Sequence, residues 1–155
     1  MATRLEARAA DLSRLIEAAE PDPQRRIAVK VAEAALSAVP LDEPELAPAL
    51  ADIAAGRWGG EGVHAATMLT DRLDDLAFDL QDEVDEGTAE HAEYLAAFCR
   101  ARAVSAVAFA LDADPRNAAL EAAYEAEAAT EDLNLIRNIV NEVLGVEQTP
   151  DGPEV

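Results

Sequence analysis

Ten acids and one arginine lie between Asp71 and Glu93. Carboxylates this close can hold a divalent cation, move protons, or meet a basic partner. Their spacing chooses among these. Asp71, Asp74, Asp82 and Asp85 recur at steps of three, eight and three residues, so on a helix they share one face with Phe78 at its centre. An aromatic side chain inside a charged rim is the pattern of a protein-docking anchor. The alternative is that another helix of the same chain covers Phe78.

Catalytic readings fare less well. A magnesium-dependent all-α hydrolase needs a second acidic set on the neighbouring helix. After Glu90 and Glu93 no acid follows until Asp112. Di-iron bundles need two Glu-x-x-His motifs, and Glu61-x-x-His64 stands alone. Cys99 shares a face with Leu95 and Ala106, which suits a small core filler better than a nucleophile beside His64 or His91. No glycine-rich nucleotide-binding motif is present. The chain therefore reads as needing no cofactor and no metal, and as non-catalytic.

Three further positions stand out. Arg102 falls on the Leu95, Ala106 and Phe109 face of its helix, so a buried guanidinium needs an acid. Asp79, flanking a Leu69, Leu73, Leu76, Leu80 and Val84 stripe, is the expected partner. Trp58 lies in Gly56-Arg57-Trp58-Gly59-Gly60, either plugging the end of a bundle or adding to the recognition surface. Asn134, Asn138 and Asn141 make an uncharged polar face, a surface on which two copies of an acidic chain could meet.

The elements that position these residues are helices. Apolar residues recur at helical spacing throughout, and alanine is abundant. Seven segments are expected. The first two span about 3–19 and 23–38, the latter opened by Asp22 and Pro23. A short third ends near Ala55. A long fourth, 61–86, stops at Gly87, and a fifth, 89–113, is capped by Thr88. The sixth starts at Asp114-Pro115. The seventh, capped by Thr130, ends at Gly145. The prediction is an all-α fold: a single-domain antiparallel bundle of about six to seven helices over 1–146, followed by a flexible tail, 147–155.

Composition limits partners. The formal net charge is -20, which keeps the chain soluble and speeds its encounter with basic molecules. Binding to nucleic acid or an anionic membrane needs clustered Lys and Arg, which are missing. A single cysteine and the lack of a ~20-residue apolar run point to a soluble, cytoplasmic protein. The leading expectation is an acidic protein-interaction module, for instance an immunity-protein or antitoxin type of inhibitor of a basic protein. The alternatives are a divalent-metal-dependent all-α hydrolase using the carboxylates of the long acidic helix, and a self-associating structural protein. Eleven arginines against one lysine reads as a GC-rich host, and a halophile's surface would explain the acidity without any partner.

Overall fold

The computed structural model describes residues 3–146, so the expected tail, 147–155, lies outside the described residues. Eight α-helices follow one another without a strand among these residues. They are α1 Arg4–Arg8, α2 Ala10–Ala18, α3 Pro21–Ala38, α4 Ala47–Ala55, α5 Glu61–Glu86, α6 His91–Ala110, α7 Pro115–Thr130 and α8 Leu133–Leu144. A 3-10 turn, Pro44–Leu46, leads into α4. The fold is all-α, as expected from the periodicity.

The helix expected over 3–19 is broken at Ala9, whose backbone turns to φ -153 and ψ 81. The break lets Leu5 enter the core while Arg4 and Arg8 reach Glu121 and Glu127 on α7. Helix α3 begins earlier than expected, with Pro21 in its first turn and Glu20, not Asp22, at its cap position.

Alanine sets the packing distance. Ala28, Ala32 and Ala35 of α3, Ala103, Ala106 and Ala110 of α6, and Ala119, Ala122 and Ala126 of α7 are all buried where the three helices pack together. Each methyl supplies little transfer energy, about 0.8 kcal/mol per buried carbon group. In exchange the three helices approach closely, and they pack pairwise as the centre of the molecule. Leu12, Ile16, Leu111, Leu120 and Ile136 fill the space around them.

Helix α5 packs chiefly on α6. Its N-terminal end is held by α4: Asp52 Oδ2 accepts from the Gly62 N–H at 2.8 Å, and Asp52 Oδ1 accepts from Arg57 Nε at 3.0 Å. The Arg57 hydrogen bond, then the Gly62 amide, holds the Asp52 carboxyl below its ordinary value despite desolvation. At the other end Gly87, at φ 79, stops α5 in the left-handed conformation. Glu90, not Thr88, then opens α6 through a reciprocal capping box with Glu93.

The α5–α6 hairpin outgrows the core. Buried positions on α5 end at Ala77, and those on α6 begin at Ala97. No residue between Phe78 and Ala96 is buried. The stripe expected through Leu76, Leu80 and Val84 therefore does not face a core. Leu76 is 47% exposed, and the other two are half-buried. At about 1.5 Å per residue, the overhang projects on the order of 14 Å.

Candidate functional site

One continuous surface runs along α5 and α6, from the overhanging hairpin to the junction with α1 and α7. Its outer part is an apolar groove of about 370 Å³. Ala77 and Phe78 of α5 line one side, and Tyr94 and Phe98 of α6 the other. The rings of His91, Tyr94 and Phe98 follow one another along α6, with centroids 5.9 and 6.1 Å apart. The Arg102 guanidinium continues the row 5.6 Å from the Phe98 ring. Phe78 is 70% exposed, and no helix among the described residues covers it. Asp75, Asp79, Asp82 and Asp85 are exposed around it, with Asp85 accepting from Gln81 at 3.0 Å.

Arg102 divides the groove from a larger cleft of about 740 Å³, since it and Asp74 line both. Arg102 Nη2 donates to both oxygens of Asp74 at 2.7 Å, and Nη1 donates to Glu125 Oε2 at 3.0 Å. Glu125, only 1% exposed, also meets Arg4 at 3.0 Å. Arg4 donates from Nε to Glu121 at 3.1 Å and stacks 4.3 Å from the Tyr124 ring centroid. Burial pulls both guanidiniums down, but the carboxylates outweigh it and leave Arg4 and Arg102 above their ordinary values. Arg102 Nε is buried without a hydrogen-bond partner among the described residues.

The acid expected to pair with Arg102 was Asp79, and the partners are Asp74 and Glu125 instead. Asp79 is exposed and lines a separate groove with Leu76, Leu80 and Arg100. The direction of α6 explains this. Arg102 leans toward α7, and only the Asp74–Phe78 side of α5 faces that way. Asp74 is accordingly not a free rim charge.

Asp71 lies in the cleft, while Asp82 and Asp85 lie out on the overhang. Trp58 is apart from all of these. Half-buried, it shares another pocket with Val29 and Lys30, under the Arg25 guanidinium at 4.2 Å. Arg25 itself donates to the Ala110 and Ala113 carbonyls at 2.7 and 3.2 Å, finishing α6. On α8, Asn134 and Asn138 are exposed and Asn141 is half-buried, opposite buried Ile136 and Val140.

Sequence reasoning passed over Glu125, Tyr94 and Phe98. Glu125 was findable. It falls three residues after Ala122 and four before Ala129, on the buried alanine face of α7. A lone acid there answers Arg102, the arginine on the core-facing side of α6.

Cys99 is half-buried, and burial, then the nearby Glu131 charge, pushes its thiol up, away from the reactive thiolate. Among the described residues no group of three or more His, Cys, Asp or Glu is arranged to hold a metal ion, and no helix is long and apolar enough to cross a membrane. Comparison with protein-family models, with curated proteins and with solved structures found no match to this chain.

Proposed function

We propose that this protein is a non-catalytic interaction module that captures a basic protein on its α5–α6 hairpin. The observation that carries the reading is Phe78, 70% exposed beside a groove lined by Tyr94 and Phe98. An exposed phenylalanine on an acidic overhang is costly to leave in water. It becomes favourable when a partner's apolar side chain enters the groove and basic side chains meet the rim. Asp75, Asp82 and Asp85 then steer the encounter, and the aromatic groove sets the lifetime of the complex. A partner whose basic surface evolved for phosphates suits such a rim, so an inhibitor of a nucleic-acid-binding protein is one concrete form.

The test uses the chain as bait in a lysate of its source organism, at low and high salt. A basic protein captured at low salt and lost with both Phe78→Ala and Asp82→Asn/Asp85→Asn supports the reading. The Phe78→Ala change is expected to weaken that complex by about 2 kcal/mol. Capture that survives both changes places docking elsewhere. Sedimentation of the isolated chain checks the other occupant: a dimer abolished by Phe78→Ala would make the hairpin a self-association surface.

A further inference from the structure

The leucine stripe of α5 runs on past the core, on a face apart from Phe78. Leu69, Leu73, Leu76, Leu80 and Val84 keep the heptad-like steps of a helical seam. The first two are buried, Leu76 is 47% exposed and Leu80 is half-buried. Two grooves of about 380 Å³ each meet here, and Leu73, Leu76 and Arg100 line both. One continues along the hairpin past Leu80 and Ala97. The other reaches Pro40 and Leu41, in the connection between α3 and α4. Neither shares a lining residue with the groove at Phe78. A contiguous apolar channel open to water, with a polar rim, marks an interaction surface.

The rim sets the partner's charge. Asp42, Asp79 and Glu83 line the channel without an ion-pair partner among the described residues, whereas Glu43 is held by Arg72 at 3.0 Å. Among the described residues Arg100 alone brings a positive charge to the lining, and its Nε donates to the Pro40 carbonyl at 3.4 Å. The seam sets the partner's shape. A helix has no open sheet edge for an extended segment to join, while leucines at steps of three and four receive side chains at the same steps. A second copy of this chain would bring Asp79 and Glu83 against acids of its own, at a net charge of -20 for each copy.

We infer that this channel is the docking site of a basic amphipathic helix of another protein, its apolar side chains seated on Leu73, Leu76 and Leu80 and its cationic ones meeting Asp42, Asp79 and Glu83. From Leu73 to Glu83 the channel follows about 15 Å of α5, roughly three turns of a partner helix. The inference stands on this face alone and is independent of docking at Phe78.

A synthetic helix tests it. The probe is an acetylated peptide of about 14 residues, with leucines at seam spacing and lysines elsewhere. A scrambled isomer has the same composition and charge but no apolar face. Fluorescence anisotropy with the full chain at 150 mM NaCl should show saturable one-to-one binding of the probe, at least tenfold tighter than of the isomer. Leu76→Ser should weaken it at least tenfold. Asp79→Asn/Glu83→Gln should weaken it at least threefold and flatten its salt dependence. Melting curves without peptide check that the variants fold, and the two acids, both exposed, decide the matter if Leu76→Ser does not. No saturation, equal binding of the isomer, or binding unmoved by the acid changes would overturn the site. Equal loss on Phe78→Ala would do so too, by seating the peptide in the aromatic groove. A dimer of the isolated chain, abolished by Leu76→Ser in sedimentation, would make the channel a self-association surface and overturn it as well.

Discussion

At Arg102 one guanidinium joins three helices, and its removal should be felt by two carboxylates at once. Arg102→Ala leaves Glu125, 1% exposed, with Arg4 as its only cation among the described residues. Stranding a buried charge costs about 3 kcal/mol or more, so the urea midpoint should fall accordingly. Asp79→Asn, at an exposed position, should stay within about 0.5 kcal/mol of the parent. Asp52 offers a second test. Its carboxyl is held below 3.8, first by the Arg57 hydrogen bond. A lowered value stabilises the fold fully above pH 3.8, and that stabilisation fades as pH falls through the folded value. The melting-temperature gap between the parent and Asp52→Asn should therefore be constant at higher pH and narrow below about pH 3.8. At this scale the sequence disclosed that Arg102 needed an acid, because its helical face was readable. It did not disclose which acid, because that depends on how α6 is rotated against α5 and α7.

Among the elements, the caps were the most legible features. Asp114 accepts from the Arg116 amide at 3.1 Å at the start of α7, as Asp114-Pro115 implied, and Gly87 ends α5. The misses came where a group other than the expected one took the capping role. Thr88 lost the α6 cap to the Glu90–Glu93 pair. Thr130 turned back to the Ala126 carbonyl at 2.9 Å, leaving Asp132 to cap α8 through the Leu135 amide. The start of α5 is the clearest case, because its capping carboxylate comes from α4. Gly62 permits that approach: a Cβ there would stand 2.9 Å from Ala49 Cα and 2.5 Å from Asp52 Oδ2. Gly62→Ala, ordinarily favourable inside a helix, should instead destabilise by about 1–3 kcal/mol through overpacking. A melting curve of that single variant decides the matter.

Over the whole molecule, the N-terminal segment, whose residues 1–30 hold six bases against five acids, clips the acidic remainder together. Arg4 meets Glu121, Arg8 meets Glu127, Arg116 meets Glu17 and Arg137 meets Asp11, tying α1 and α2 to α7 and α8. Exposed pairs of this kind contribute little each, about 0–1 kcal/mol, while a net charge of -20 repels itself everywhere. Added sodium chloride screens both, and the repulsion is the larger, so the melting temperature should rise between 20 and 500 mM salt. The unfinished end of the α5–α6 hairpin has a further consequence, in time rather than in space. Its amide hydrogen bonds are guarded by two helices alone, whereas those of α3, α7 and the second half of α6 open only with the centre of the molecule. Deuterium should therefore enter residues 78–96 by a local opening, well before it reaches Val104 or Val107. A ligand seated in the groove should slow exchange in the hairpin first. The overhang is thus the part of this fold whose clock a partner can reset.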